Sequence, residues 1–316
     1  MIENGKTIDL SIMINTYNAE KYVSQALESI IHQETKYSFE VVISDDCSTD
    51  KTAQIIRDYS HKYPDIIKPI LREKNIGAIQ NCIQTMQELS GKYFMFIDGD
   101  DYWLPGKIEK QLDFMENHPE IGLCYGQVYV LNDKTGVISK NPTRYDYTQF
   151  KEFLFHNGAN TCTQCGRLDL YKKYYSEVLP DCHGWLMLDY PLVLWYSKNS
   201  KVHSFSEVFA VYRVRVGSLS HPKDVEKNLA FTKSTMEIQK FFSDSEEDIR
   251  KIEIIYQSSV AENYWIFGDM KQFRKCYRMF LSGYGRKVDK IKFWISYLPF
   301  FGYFYKSFIR IKNYKA

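Results

Sequence analysis

Residues 93–103 read Tyr93-Phe94-Met95-Phe96-Ile97-Asp98-Gly99-Asp100-Asp101-Tyr102-Trp103. Five apolar side chains in a row mark a short strand buried on both faces. The run stops at a carboxylate, and three of the four residues from 98 to 101 are acids. The same grammar recurs upstream. Residues 39–44 (FEVVIS) break into Asp45-Asp46-Cys47-Ser48-Thr49-Asp50, and residues 8–15 (IDLSIMIN) lead into Thr16-Tyr17-Asn18. Residues 66–71 read as one further strand. Between these runs, apolar residues recur at helical spacing. A helix is expected over 19–33 with Asn18 as its cap, a second through Ile55, Ile56 and Tyr59, and a third over 77–89. Strand and helix alternate four times in the first hundred residues. That pattern predicts an α/β fold with a doubly wound, mostly parallel sheet. Ligands of such sheets sit outside the carboxyl ends of the strands, so the residues that follow each strand are the candidates for a site.

Five carboxylates, Asp45, Asp46, Asp98, Asp100 and Asp101, are thereby expected on one sheet edge. Like charges at close range repel. A divalent cation with a taste for hard oxygen ligands, Mg²⁺ or Mn²⁺, relieves the repulsion and binds substrate phosphates as well. The plainer alternative is that Asp45, Asp46 and Asp50 cap a helix and that 98–101 form a solvated turn. Tyr17 reads either as packing or as a ring on which a nucleobase stacks beside an acid.

These strand ends, taken together, resemble the family 2 glycosyltransferases, inverting enzymes of the GT-A fold. The resemblance rests on Asn15-Thr16-Tyr17-Asn18, Asp45-Asp46-Cys47-Ser48-Thr49-Asp50 and Asp98-Gly99-Asp100-Asp101. The continuation Tyr102-Trp103-Leu104-Pro105-Gly106-Lys107 is similar to a subgroup common in bacterial polysaccharide synthesis. Asn15 stands where the family usually has Pro, and Cys47 where it usually has Gly; both are positions of backbone conformation. The resemblance covers residues 7–220 and implies a nucleotide-sugar donor. Tyr17 would then stack on the nucleobase, with Asp45 accepting a hydrogen bond from it and Thr16 among the residues that bind the donor. Asp98 would reach the ribose, and Asp100 would hold the Mn²⁺ or Mg²⁺ that bridges the diphosphate.

Downstream, Pro105 is placed to open a helix through Ile108, Leu112 and Met115. Residues 121–131 read as a strand, and 132–147 as a polar loop near the acceptor. The resemblance implies that Asp189, at the start of a helix, is the catalytic base, with Asp181 as the fallback. An inverting transfer needs one such base for the acceptor hydroxyl. In the stretch Tyr212-Arg213-Val214-Arg215 the family often carries a His at the last position. Arg213 or Arg215 is therefore expected to clamp the diphosphate, with a surface salt bridge as the plain alternative. Residues 1–220 are expected to form the GT-A domain, with a nucleotide-sugar half over 1–104 and an acceptor half over 105–220. Residues 221–316 are expected to form a helical extension.

The 316-residue chain carries a net charge of only +2, but unevenly. From Lys271 onward twelve Lys and Arg face one acid, Asp289, which leaves the residues before Lys271 at −9. The tail is also aromatic: residues 293–305 read FWISYLPFFGYFY, too short to span a bilayer and interrupted by Pro299 and Gly302. Val288, Ile291, Ile295 and Leu298 repeat at helical spacing. A basic, aromatic segment of this kind suits the interface of an anionic membrane; a helix packed on the body is the alternative. Seven scattered Cys without a leader-like N-terminus suggest a reducing, cytoplasmic compartment. Cys162-x-x-Cys165 with Cys182-His183 is weak evidence for zinc, and no nucleic-acid module is visible.

The reading is a metal-dependent inverting glycosyltransferase that uses a nucleotide-sugar, a UDP-sugar by resemblance. Its acceptor would be a glycan or a polyprenyl-diphosphate-linked sugar, reached from the inner face of the cell membrane. Two rivals stand beside it. A phosphatase of the haloacid dehalogenase type shares an Asp-x-Asp after a strand, but carries it on the first strand. A catalytically inactive GT-A-like scaffold in a membrane glycan-assembly complex would have no need of intact Asp98, Asp100 and Asp189.

Overall fold

The computed structural model describes residues 8–139, 141–178, 184–215, 224–281 and 296–297. The first strands fall where the apolar runs place them. They are β1 (Leu10–Thr16), β2 (Phe39–Asp45), β3 (Ile67–Leu71) and β4 (Tyr93–Asp98). All pair in parallel, in the order β3-β2-β1-β4. Three helices connect them: α1 (Val23–Ile31), α2 (Thr52–Lys62) and α3 (Ala78–Met86). Further along come β5 (Tyr102–Trp103), α4 (Lys107–Asn117), β6 (Ile121–Asn132), β7 (Val137–Ile138) and α5 (Phe150–Phe155). After these follow β8 (Cys165–Arg167), α6 (Leu168–Val178), α7 (Asp189–Asn199) and β9 (Lys201–Val214). Strand β8 pairs antiparallel with both β4 and β6, and β9 lies between β6 and β5. Among the described residues the sheet has nine strands, mostly parallel in its first half.

The alternation within β4 shows how the sheet is covered. Tyr93, Met95 and Ile97 share one core with Leu10, Ile12 and Ile14 of β1 and with Leu27 of α1, Ile56 of α2 and Leu112 of α4. Phe94 and Phe96 point to the other face and meet Tyr171 of α6 edge-on, at centroid distances of 5.3 and 6.3 Å. Successive strand residues face opposite ways, so helices on both faces are what an uninterrupted apolar strand requires.

Three boundaries differ from expectation. Asn18 does not cap α1, which begins at Val23; its side chain instead accepts from Thr49 N across the loop that follows β2 (2.9 Å). Pro105 precedes α4 without opening it: Gly106, at φ +81°, is the residue before Lys107. The polar stretch 132–147 is not all loop, because β7 folds back on β6.

Contacts divide the chain into two units. The first comprises residues 1–132, 136–183 and 187–213; the second comprises 133–135, 184–186 and 214–316. In the second, α8 (Val225–Phe242), α9 (Glu246–Ile266) and α10 (Met270–Leu281) follow one another. Asp224 and Ser245 cap α8 and α9 with their side chains. Trp265, Met270, Phe273 and Tyr277 form a small core between α9 and α10, whose turn uses Gly268 at φ +72°. The apolar repeat through Val288, Ile291, Ile295 and Leu298 lies outside the described residues, Ser296 and Tyr297 aside.

One carboxylate ties the strand starts together. Glu40, fully buried on β2, accepts from Ser11 Oγ (2.5 Å) and from Ser90 N (3.1 Å) and Oγ (2.8 Å), and pairs with Lys68 Nζ (2.6 Å). Burial pushes its pKa up, but these donors outweigh burial and hold it below the usual value. The unfolded chain therefore binds the proton more readily than the folded one. The stabilisation is present above the ordinary Glu range and is lost as pH falls through the lowered folded value. Glu40→Gln is expected to cost about 1–3 kcal/mol at neutral pH and to flatten the acid limb of stability against pH, both read by urea unfolding. An unchanged acid limb would show that Glu40 is not the group responsible.

Candidate functional site

The loops that follow β1 and β2 are sewn to each other. Asn18 N bonds Ser48 Oγ (2.8 Å), Ala19 N bonds Thr52 Oγ1 (2.8 Å), and Glu20 N bonds Asp50 Oδ2 (3.1 Å). Two non-glycine residues adopt the left-handed region to make this possible, Asn18 at φ +50° and Cys47 at φ +59°. Cys47 is the position expected to need special backbone conformation, and it does. Between these loops Tyr17 stands out of the surface, 49% exposed.

Each expected carboxylate has its own surroundings. Asp45 is buried and accepts from Ser48 N (2.9 Å), Ser48 Oγ and Thr16 Oγ1 (3.2 Å). Asp46 turns the other way and receives Ile76 N (2.8 Å) and Gly77 N (2.9 Å), fixing the entry to α3. Asp101 is buried; burial and the neighbouring charges of Asp100 and Asp98 push its pKa well up, and it accepts from Arg213 N (2.7 Å). Asp98 is exposed and Asp100 half-exposed. The expected convergence of five acids is thus a division of labour, in which Asp98 and Asp100 keep side chains open to solvent.

That division bears on a metal. Among the described residues no group of three or more His, Cys, Asp or Glu is arranged to hold an ion. A half-exposed carboxylate suits a divalent cation that takes its other ligands from phosphates and water, and Asp100 fits that role. Cys162 and Cys165 sit fully inside the core, and Cys165 is register partner of Cys124 on β6.

Asp189 begins α7 and is partly buried. Burial raises its pKa, while the amide of Tyr190 and the Thr161 hydroxyl (3.2 Å) act the other way. The Cys82 thiol lies on α3. Burial pushes that thiol up to about 12, and the charges of Asp98 and of Asp189 both act on it in the same direction. Thr161, which bonds Asp189, opens a short 3-10 turn whose Cys162 carbonyl accepts from the indole N–H of Trp103 (2.8 Å), just past the acidic loop.

Arg213 lies near the end of β9, and its guanidinium is turned to the acidic loop: Nε donates to the Asp100 carbonyl (2.7 Å). Arg215 follows β9 in the second unit. Asp181 falls outside the described residues. Sequence reasoning missed Cys82 and Thr161, which carry no motif; the helical spacing of 77–89 was the one signal that turned Cys82 inward.

Comparison with known proteins gives this geometry a context. Residues 11–179 match the family model described as glycosyl transferase family 2. An uncharacterized protein of Mycobacterium tuberculosis is 38% identical over 217 residues, covering 67% of this chain and 60% of the relative's own length. An Escherichia coli protein named UDP-Glc:alpha-D-GlcNAc-diphosphoundecaprenol beta-1,3-glucosyltransferase WfaP is 31% identical over 225 residues, 68% of this chain and 80% of its own. Among solved structures, S. aureus TarS 1-349 in complex with UDP-GlcNAc superposes with a TM-score of 0.56 at 20% identity, covering 92% of this chain and 79% of that one. The mannosyltransferase PcManGT from Pyrobaculum calidifontis, in complex with GDP-Man and Mn²⁺, does so at 0.54 and 13% identity, covering 98% and 88%. These likenesses establish the GT-A fold.

Asp46 offers a test of the loop architecture. An amide has one acceptor oxygen where the carboxylate has two, so Asp46→Asn loses one of the two bonds to Ile76 and Gly77. We expect a loss of about 1–2 kcal/mol and faster amide exchange at those two residues. Unchanged exchange there would mean that Asp46 does not fix the entry to α3.

Proposed function

Because the chain belongs to glycosyl transferase family 2, a family of glycosyltransferases, we propose that it moves a sugar from a nucleotide-diphosphate donor, a UDP-sugar, to a hydroxyl of a lipid-linked or oligosaccharide acceptor with inversion at the anomeric carbon. The observation that supports the reading is the run of bonds from Asp189 through Thr161 to the turn whose Cys162 carbonyl holds Trp103, directly after the acidic loop. A donor-side carboxylate and a base within reach of one sugar are what a transfer between a diphosphate and an acceptor requires. The names of the relatives support the same direction: WfaP is a UDP-glucose enzyme acting on a diphosphoundecaprenol-linked sugar, and TarS was solved with UDP-GlcNAc.

In this reading Tyr17 offers its exposed ring to the nucleobase, and Asp45, braced by Thr16 and Ser48, accepts a hydrogen bond from the base edge. Asp98 reaches the ribose, and Asp100 holds the Mn²⁺ or Mg²⁺. A bound divalent cation supplies positive charge against the charge that grows on the departing diphosphate. Asp189 takes the proton of the acceptor hydroxyl. That oxygen forms its bond to the anomeric carbon as the carbon–diphosphate bond breaks on the opposite face. Partial burial suits Asp189 to this task, since a raised pKa makes a carboxylate a better proton acceptor.

The basic tail belongs to the same proposal. On α10, Lys271, Arg274, Lys275 and Arg278 follow helical spacing and, with Tyr297, line an open cavity of about 440 Å³. Such a face suits an anionic leaflet, each cation contributing about 1 kcal/mol near the surface. No helix among the described residues is long and apolar enough to cross a membrane.

Two outcomes follow. Asp189→Asn is expected to lower kcat for UDP release from the donor by about 10²–10⁴-fold with little change in donor KM. In the wild type, kcat should fall on acidification through a pKa above the ordinary carboxylate value of roughly 4, because the protonated form accepts no proton. An active Asn variant, or a rate flat down to about pH 4, would remove Asp189 from the role of base. Separately, the full chain should float with anionic vesicles and not with zwitterionic ones, and a chain truncated at Ser282 should float less; sedimentation of both with either vesicle would sink the membrane reading.

A further inference from the structure

Arg213 is more committed than a residue waiting for a ligand. Its backbone N–H donates to Asp101 Oδ1 (2.7 Å) and its Nε to the peptide oxygen of Asp100 (2.7 Å). Its Nη2 donates to Gln25 Oε1 on α1 (2.8 Å), and the guanidinium lies 4.7 Å over the ring of Tyr22. A guanidinium is a rigid planar fork, so fixing two of its N–H groups and one face fixes the whole group. We propose that Arg213 is a positioning residue: it rests on Tyr22 and Gln25 and holds the peptide of Asp100, so that the Asp100 carboxylate keeps the direction in which it meets a cation. This deepens the donor-site reading above and rests on it.

The physical case is one of pre-organisation. Asp98-Gly99-Asp100-Asp101 is a turn, with Asp101 N bonded to Asp98 O (3.1 Å) and Gly99 N to Asn15 O (3.1 Å). Gly99 lets the turn close: a Cβ there would meet Thr16 Cγ2 at 2.6 Å. These bonds hold the turn on its β1 side. On the β9 side Arg213 supplies two attachments, one through its backbone and one through its side chain. The guanidinium also brings a positive charge to the acidic loop, through its bond to the Asp100 carbonyl. Partners that orient a metal ligand without touching the metal typically carry 10–100-fold of its affinity.

The rival role for Arg213 is direct contact with the donor's diphosphate, and the two roles differ in their dependence on metal. A residue that orients Asp100 matters to UDP binding only while a cation is present. A residue that touches phosphate matters with or without it. Titration calorimetry of UDP, in Mn²⁺ and in EDTA, separates them on wild type, Arg213→Gln, Arg213→Lys and Asp100→Asn. We expect Arg213→Gln to weaken UDP binding by about 10-fold or more in Mn²⁺ and by less than about 2-fold in EDTA. Arg213→Lys should follow it, because an ammonium cannot span Asp100 and Gln25 together. Adding Arg213→Gln to Asp100→Asn should cost nothing further. Gln25→Leu, which removes one support and spares the Arg, should give a smaller, equally metal-dependent loss. Equal losses in both conditions, or none in either, overturn the proposal. A wild-type chain that binds no UDP in either condition overturns the donor-site reading instead. The clamp is then decided by amide exchange at Asp101: faster in Arg213→Gln upholds it, unchanged exchange overturns it.

Discussion

Like charges on one sheet edge repel, and the architecture of this edge answers that constraint. Asp45 is absorbed by Ser48 and Thr16, and Asp46 by the amides that lead into α3. Asp101 goes under the surface, where its neighbours' charges favour the protonated form. Each acid removed from the surface also fixes a loop. What is left facing solvent is a pair, Asp98 and Asp100, on a turn whose backbone is held at both ends. Holding the loops rigid and presenting few charges to solvent are therefore one and the same arrangement, and a phosphate-binding cation is what the Asp100 carboxylate suits.

The sheet itself was legible because its strands are nearly pure apolar runs that stop at acids. In 93–98 the alternation of Phe94 and Phe96 against Tyr93, Met95 and Ile97 even records the two helical layers that cover it. The loop contacts were not legible. Asn18 has the chemistry of a helix cap, yet its amide oxygen is claimed by Thr49 on another loop, and α1 starts four residues later than a cap at Asn18 would allow. Local pattern cannot report a competition between a local and a distant partner.

The site divides along the same line. Asp45, Asp98, Asp100 and Asp189 were singled out by motif, because strand-end acids and a helix-start acid leave a mark in sequence. Arg213 was found as a residue but not in its surroundings. Its partners Asp100 and Gln25 lie 113 and 188 residues away, and no spacing rule reaches that far. Cys82 carries no motif, and the sequence does not report which charges act on its thiol. Family membership extends the account from fold to chemistry, and the choice of sugar stays with pocket shape, where single hydroxyls decide and motifs are silent.

The central claim is that Asp98 and Asp100 make this sheet edge a metal-assisted nucleotide-sugar site. The most direct measurement is a thermal-shift screen of nucleotides and nucleotide-sugars, with and without Mn²⁺, on wild type and Asp100→Ala. A ligand at 100 times its Kd stabilises by about 2.7 kcal/mol, a shift well within reach. The account expects stabilisation by UDP-sugars that needs Mn²⁺ and vanishes in Asp100→Ala. Stabilisation by no nucleotide under any condition, or stabilisation that survives in Asp100→Ala, would contradict it.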